Sequence, residues 1–333
     1  KLSIIIHPQD KPRSSLYRRV KVFTLTDSQQ LDLGKLKVKP RYTPYKPPTI
    51  DERIAAAYDT KGTPEERYAS AAKIARLTNQ YLLILYGDRS SEAVRQFMTL
   101  RYNDKEIRDL MPNFRLLVSE EGEANTLSEK AREIQKNLGV ESAAPQPGLF
   151  LFDTQSKQQA EISFANLSTD GKVSKEKLLK FLKANQYPTR DARELLETAL
   201  KQAKEQNKRV IVQETATWCG PCRLLSLYLD RERKIWERDY IWIKLDHRWT
   251  GTHEIMKKLR NDAPGGIPWW AILDADGKIL VTSNNDQDED QNIGFPSSTS
   301  GREHYRKMLE KTAIRLNDTE INELVDALQQ KDD

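Results

Sequence analysis

The sequence is poor in cysteine: of its 333 residues, only Cys219 and Cys222 are cysteines. An extracellular fold held together by disulfides would carry more cysteines and spread them along the chain. A dithiol of this spacing works in both reducing and oxidising surroundings, so the pair alone does not indicate the compartment. The scarcity excludes a disulfide-stapled scaffold and directs attention to this one pair.

Long apolar runs and a surplus of one charge are missing as well. No stretch approaches the roughly 18 apolar residues of a membrane-spanning helix, so we expect no transmembrane segment in this chain. The 54 basic and 49 acidic residues are mixed along the sequence and give a net charge of +5. Nucleic-acid binding would need Lys and Arg clustered on one face, so no nucleic-acid partner is predicted. The chain begins at Lys1 without a signal-type apolar segment, and we expect a processed or truncated chain.

Residues 1–50 differ in pattern from the rest. Runs rich in β-branched and aromatic residues predict strands at 2–6, 17–25 and 35–39. Three strands make a thin sheet that is marginal alone, so we interpret this segment as the end of a β-sandwich. The proline-rich stretch 40–48 cannot continue a strand ladder and is predicted to be a linker.

From about residue 51 the sequence alternates between helix and strand, and it does so twice. This alternation predicts an α/β fold with central mixed sheets flanked by helices. Capping patterns place helix starts after Thr63, Ser300 and Asn317. The predicted helices cover 64–79, 90–101, 127–138, 174–185 and 191–206, and the predicted strands cover 81–86, 114–118, 148–152, 160–164, 209–212, 241–245, 269–273 and 278–281.

The alternation is an internal repeat that can be checked at two points. Asn79 and Asn207 each precede the first strand of a copy, at an offset of 128 residues (207 − 79). Pro147 and Pro268 each have an aspartate six residues on, at an offset of 121 residues (268 − 147). One longer loop in the first copy would absorb the difference between the two offsets.

The repeat also predicts the domain organisation. Carried across at the first offset, Cys219 falls on Ser91, so the first copy lacks the thiols. We predict one domain without cysteines at 51–187 and one with the cysteine pair at 188–333.

The cysteine pair follows an apolar strand and opens a predicted helix. At a helix start, unpaired backbone N–H groups and the helix dipole favour negative charge, which lowers the pKa of the leading Cys219. Cys222 lies one turn further and can attack a mixed disulfide on Cys219. Pro221 suits the first turn, Gly220 lets a partner approach, and Trp218 screens one side of the pair.

The pentapeptide Trp218-Cys219-Gly220-Pro221-Cys222 resembles the active site of the thioredoxin family. The strong resemblance covers roughly 190–285, and over 60–187 it rests on the repeat. It implies two thioredoxin-like domains and thiol–disulfide exchange, with Cys219 as nucleophile and Cys222 as resolving thiol. The dithiol itself carries the electrons, so neither a further cofactor nor a metal is expected.

Two more positions resemble the family pattern. Ile267-Pro268 resembles the cis-proline loop that pairs with substrate backbone, which implies that Pro268 is cis; an ordinary proline at a strand entrance is the alternative. Lys244 resembles the lysine that the family keeps beneath its active site; a solvated strand lysine is an equal alternative.

Two positions depart from the family pattern. Thioredoxins commonly place a buried acid six residues before the first cysteine, and here that residue is Gln213, which cannot take a proton. Glu214 is adjacent, but successive strand residues face opposite sides, so it does not replace the acid. Trp269 and Trp270 follow Pro268. We expect one of the two tryptophans to lie in the core, and we expect a bulky side chain at this place to narrow the choice of protein partners.

Three further features have plainer interpretations. The two cysteines could in principle bind zinc together with His247 and His253. Such a site would not need the Trp before the cysteines or the Gly-Pro between them, so we do not expect a zinc site. Residues 246–249 are interpreted as a plain loop rather than a rim of the partner groove. The acidic run 284–290 is interpreted as a solvated loop rather than a calcium site.

The sequence therefore predicts a thiol–disulfide oxidoreductase, most simply a reductase of protein disulfides. Its partners would be protein disulfides and an unidentified electron donor, with the cysteine-free domain as a docking or spacing element similar to the protein disulfide isomerase arrangement. A redox-sensing or partner-binding protein, and an isomerase or oxidase, remain alternatives. Ala216-Thr217 resembles bacterial exported thiol reductases, which favours a periplasmic or envelope location over a cytoplasmic one.

Overall fold

The computed structural model describes residues 2–3, 22–23, 46–120, 146–261, 265–285 and 292–329. Within residues 1–47, which form a unit of their own, β1 (Leu2–Ser3) pairs antiparallel with β2 (Val22–Phe23). The rest of the predicted N-terminal strands, the predicted helix 127–138 and residues 286–290 of the acidic run lie outside the described residues.

The second half of residues 48–333 is built around a sheet with the strand order β10 (Tyr240–Asp246), β9 (Arg209–Thr215), β11 (Trp269–Leu273), β12 (Ile279–Thr282). Strands β9 and β10 are parallel, whereas β11 runs antiparallel to β9 and β12 antiparallel to β11. The apolar run of β9 is buried along most of its length, as expected for a central strand. The elements are β9 (Arg209–Thr215), β10 (Tyr240–Asp246), β11 (Trp269–Leu273), β12 (Ile279–Thr282), α7 (Ala192–Gln206), α8 (Gly220–Arg231), α9 (Arg233–Trp236), α10 (Thr252–Arg260), α11 (Thr299–Thr312) and α12 (Asp318–Ala327).

The first half repeats this sheet in the order β4-β3-β5-β6, with the same strand directions. Helices and sheets alternate along both halves, so the predicted α/β fold class with mixed sheets flanked by helices is confirmed. The elements are β3 (Tyr81–Tyr86), β4 (Phe114–Ser119), β5 (Gly148–Phe152), β6 (Gln158–Ser163), β7 (Ser168–Thr169), β8 (Lys172–Val173), α1 (Ile50–Tyr58), α2 (Pro64–Leu77), α3 (Glu92–Asn103), α4 (Lys105–Leu110), a 3-10 turn (Met111–Asn113), α5 (Phe164–Leu167) and α6 (Lys175–Ala184).

Residues 48–333 form one compact unit, so the predicted boundary between residues 187 and 188 stays a prediction. Within that unit the Arg248 guanidinium reaches from the second half to the first. It donates to the backbone carbonyls of Pro112 and Asn79 at 3.0 and 2.6 Å, and to Asp246 beside it at 2.8 Å. The interpretation of 246–249 as a plain loop is wrong, because this loop carries a contact between the halves.

The described residues contain no helix that combines the length and the apolar character needed to cross a membrane.

Asp239 holds the start of β10 against the end of α11. Its side chain is fully buried and accepts hydrogen bonds from the backbone N–H groups of Ile314 and Leu316, at 2.7 and 2.9 Å, and from that of Arg315. Burial alone would raise the pKa of Asp239, but the three backbone hydrogen bonds outweigh it and hold the pKa below its ordinary value.

We expect Asp239→Asn to lower the free energy of unfolding by about 2–3 kcal/mol at pH 7, because charge-assisted hydrogen bonds to three amides are lost. The folded-state pKa is depressed, so the stabilisation is present above the unfolded pKa of about 4 and is lost as the pH falls through the folded pKa. Urea titrations at pH 7 and at pH 3 measure both effects. Asp318→Asn, at an exposed carboxylate, is the control; an Asp239→Asn difference that does not change with pH would contradict this assignment.

Candidate active site

Cys219 and Cys222 form a disulfide with their Cα atoms 5.2 Å apart. Cys219 is the N-cap residue of α8, and its Sγ accepts a hydrogen bond from the backbone N–H of Cys222 at 3.1 Å. After reduction, the same N–H and the helix dipole would stabilise a thiolate on Cys219. Cys219 is 4% exposed and Cys222 1%, so both residues are buried in the disulfide form.

The surface around Cys219 is open and partly apolar. Trp218 is 73% exposed, Leu224 is also exposed, and Pro221 lies between them on the surface. Among the described residues, a side chain added at Gly220 would meet nothing within 4 Å, which leaves space for a partner chain over this residue.

The loop before β11 forms the other wall of the site. The peptide bond between Ile267 and Pro268 is cis. The carbonyl oxygen of Ile267 lies 3.6 Å from Cys219 Sγ, and the Ile267 side chain packs against the cluster of Ala216, Cys219 and Cys222. Asn292 donates to the carbonyls of Gly266 and Pro268 at 2.9 and 2.8 Å, which fixes the loop against the disulfide.

Gln213 in β9 is fully buried and faces the side of the sheet on which α8 packs. Its Oε1 accepts a hydrogen bond from Trp242 Nε1 at 3.2 Å, and its Nε2 has no hydrogen-bond partner among the residues that the structure describes. A buried amide stands at this position, which therefore supplies no proton acceptor to the cysteine pair.

Lys244 pairs with Gln213 in the sheet register, and its ammonium donates to the backbone carbonyl of Leu77 in the first half. It lines a cavity of about 340 Å³ that also includes Ser226, one helical turn beyond Cys222. Lys244 therefore lies behind the helix that carries the cysteines. Burial, together with repulsion from Arg76, lowers the pKa of Lys244 from its ordinary 10.5 to about 8.

We expect Lys244→Met to raise the free energy of unfolding by about 2 kcal/mol at pH 7, because the cost of burying a charged ammonium disappears. In the unchanged chain the unfolded state binds this proton more tightly, so stability should rise with pH between about 8 and 10.5. The variant should lack that rise. Urea titrations across this pH range decide the matter, with the exposed Lys201→Met as control; a destabilised variant at pH 7 would contradict the prediction.

Trp269 and Trp270 are both fully buried and belong to different core clusters on the two faces of the sheet. Their indole N–H groups donate to Asn284 Oδ1 at 3.0 Å and to the Gly294 carbonyl at 3.2 Å. The expectation that a bulky residue here narrows the choice of partner is wrong, because both side chains are buried in the core.

His247 and, through a shared carboxylate, Arg260 lie beside Trp218, an arrangement that no motif in the sequence predicts. His247 packs edge-on against the Trp218 ring, with ring centroids 6.3 Å apart, and its Nε2 lies 2.7 Å from Glu214 Oε1. Arg260 binds the other oxygen of the same carboxylate. The one signal in the sequence was Glu214 itself, because a carboxylate within an apolar strand needs positively charged or hydrogen-bonding partners. Within the described ranges, no group of three or more His, Cys, Asp or Glu side chains is arranged to hold a metal ion.

Comparison with known proteins adds to this geometry, although no family model matches the chain. Thioredoxin H-type from Chlamydomonas reinhardtii is 30% identical over 56 residues, which are 17% of this chain and 50% of that protein, so the match spans half the length of this curated relative. The solved disulphide isomerase from Xylella fastidiosa Temecula1 is similar at 19% identity and a TM-score of 0.27, over 42% of this chain and 93% of the other. A redox protein from Chlamydomonas reinhardtii is similar at 14% identity and a TM-score of 0.28, over 76% and 66%.

The order and direction of strands in each sheet, together with a cysteine pair at the start of the helix after the central strand, define a thioredoxin-like fold. Over 56 residues the sequence is also similar to thioredoxin H-type.

Proposed function

We propose that this chain is a thiol–disulfide oxidoreductase that reduces disulfides in protein substrates. The observation that carries the proposal is the Cys219–Cys222 disulfide at the N-terminus of α8, with Cys219 Sγ 3.6 Å from the Ile267 carbonyl oxygen and the exposed Trp218 preceding Cys219 in the chain. The disulfide is the redox group, and we propose no additional cofactor.

In the proposed reaction the reduced Cys219 thiolate attacks one sulfur of a substrate disulfide. A Cys219–substrate bond forms, the substrate S–S bond breaks, and the other substrate sulfur leaves as a thiolate and takes a proton. Cys222 then loses its proton and attacks Cys219 Sγ, which forms the Cys219–Cys222 disulfide and releases the second substrate thiol. Two electrons pass to the substrate, and an unidentified dithiol donor must reduce the pair again.

A protein rather than a small molecule suits the surface around the pair. Exposed Trp218 and Leu224 present apolar area close to the disulfide in the chain, and apolar area of this kind can bind a protein segment. An open groove of about 470 Å³ runs beside them, lined among others by Pro221, Leu224, Pro268 and Phe295. An extended substrate segment would lie along the Ile267–Pro268 loop with its cystine over Cys219.

The first half has no cysteine and would contribute by docking or spacing. Ser91 is the N-cap residue of α3, as Cys219 is of α8, so the corresponding helix start exists there without a thiol. We propose an envelope location on the Ala216-Thr217 resemblance, with the cytoplasm as the alternative; fractionation of cells that express the full-length protein would distinguish them.

The first experiment is equilibration of the Cys219–Cys222 pair with defined dithiothreitol or glutathione buffers, with Cys219→Ser as control. A reduction potential near roughly −270 mV would support a reductase, and one near roughly −120 to −180 mV would instead indicate an oxidase or isomerase. Absent turnover of any protein disulfide, despite a reactive Cys219, would indicate a redox-sensing protein.

A further inference from the structure

A cluster of three charged or polar side chains lies beside the disulfide and takes no part in the proposed exchange. Glu214, His247 and Arg260 form it, and they come from β9, from the loop after β10 and from the last turn of α10. The side chains of Glu214 and Arg260 are mostly buried, at 12% and 9% exposure. Glu214 accepts from Arg260 Nε at 2.8 Å, and its other oxygen lies 2.7 Å from His247 Nε2.

One arm of the cluster reaches Trp218. His247 packs edge-on against the indole, with an angle of 62° between the ring planes. Trp218 immediately precedes Cys219 and is largely exposed, so this contact restrains a side chain that solvent otherwise surrounds. Glu214 therefore reaches the tryptophan wall of the site through His247.

The other arm reaches the loop before Pro268. The Arg260 guanidinium donates to the carbonyls of Gly265 and Gly266, at 3.4 and 3.2 Å, and lies over the Trp269 ring at 5.1 Å. Gly266 is followed by Ile267, whose carbonyl faces Cys219 Sγ. Glycines allow this loop many conformations, so its position depends on such contacts.

Between the two arms lies an open groove of about 450 Å³ that ends at the Ile267 side of the disulfide. Its lining includes Trp218, His247, His253, Met256, Arg260 and Ile267.

We propose that Glu214 is a positioning residue that sets both walls of this groove, through His247 to Trp218 and through Arg260 to the loop 265–267, for a segment of a protein substrate next to its reactive cystine. The proposal rests on the proposed function. A protein substrate touches both walls, whereas a small disulfide needs only Cys219. Glu214 should therefore control the KM for proteins and leave the intrinsic thiol reactivity unchanged.

The geometry also explains why the carboxylate stays charged. Burial alone would raise the pKa of Glu214, but the hydrogen bonds from His247 and Arg260 outweigh it and keep the pKa below its ordinary value. Glu214→Gln keeps the size of the side chain and one acceptor oxygen, but it removes the negative charge of the carboxylate that contacts both Arg260 and His247.

The test compares Glu214→Gln with Glu254→Gln, which breaks an ion pair to Arg193 on an exposed part of α10 away from the groove. We expect Glu214→Gln to raise the KM for the reduction of insulin disulfides about tenfold or more. The kcat for insulin and the rate of reduction of a small aromatic disulfide should each change less than twofold. Glu254→Gln should match the unchanged chain. Equal losses on insulin and on the small disulfide, or an unchanged KM, would overturn the proposal.

A second measurement needs no substrate and keeps the test independent of the proposed function. The chain has six tryptophans, so ¹⁵N-indole labelling gives few resonances, and Trp218→Phe assigns the one that matters. Glu214→Gln and His247→Gln should both move the Trp218 resonance, and Glu254→Gln should not. If Glu214→Gln fails to fold, His247→Gln still tests the first arm, since its side chain is 39% exposed. An unmoved Trp218 resonance overturns the proposal, whereas inactivity of the unchanged chain on proteins would overturn the proposed function alone.

Discussion

Cys222→Ser is expected to accumulate a covalent Cys219–substrate adduct and to lose about 10³-fold or more of its turnover with protein disulfides. Cys219 retains the backbone N–H of residue 222 as a hydrogen-bond donor, so its thiolate remains stabilised and still attacks. Serine cannot attack the mixed disulfide, so the second step fails. Non-reducing gel electrophoresis and mass spectrometry would identify the adduct.

Cys219→Ser should form no adduct at all, because the proposed nucleophile is gone and Cys222 is 1% exposed. Ser91→Ala is a matched control at the corresponding helix start of the first half, where the serine makes no side-chain capping hydrogen bond. Unimpaired turnover by Cys222→Ser, or an adduct on Cys222 in the Cys219→Ser variant, would refute the assignment of nucleophile and resolving thiol.

Short-range sequence signals predicted where helices end and strands are joined in both halves, because the contacts that define these turns lie within a few residues. Asn79 and Asn207 mark the repeat since both adopt the left-handed conformation after a helix, which asparagine tolerates. Asp153 and Asp274 mark it again since each accepts backbone N–H groups two and four residues on, in the same turn.

Local signals fail where two candidates compete or where the contacts are distant. Ser300 was predicted to cap α11, but Ser298 does so and accepts from the Gly301 N–H, so that prediction is wrong. The capping box at Asn317 is confirmed. The Asn317 side chain accepts from the Glu320 backbone N–H, and the Glu320 side chain accepts from the Asn317 backbone N–H. Lys244 and Arg248 find their partners more than 130 residues away, and no periodicity carries that information.

Arg248 shows what the sequence could not. It joins the end of β10 in the second half to the backbone carbonyls of Pro112 and Asn79 in the first half. Asp246, which is 1% exposed, relies on the same guanidinium through both of its oxygens, at 2.9 and 2.8 Å. One side chain therefore neutralises a buried carboxylate and ties the halves together.

We expect Arg248→Met to lower the free energy of unfolding by about 3–5 kcal/mol, because it leaves a buried carboxylate unpaired as well as two carbonyls without their donor. Urea denaturation followed by circular dichroism and by tryptophan fluorescence would measure the loss. The two probes would separate if the halves then unfold independently. Arg193→Met removes an exposed ion-paired arginine and should cost less than about 1 kcal/mol.

Adding Asp246→Asn to Arg248→Met identifies the cause of the loss. If the unpaired carboxylate dominates, the double variant should regain a substantial part of the lost stability, since no buried charge remains. If the contacts to Pro112 and Asn79 dominate, the double variant should be as unstable as Arg248→Met or less stable, and the probes should still separate. An Arg248→Met variant within about 1 kcal/mol of the unchanged chain would show that the halves are held by other contacts, such as the Arg76–Asp230 ion pair at 2.9 Å.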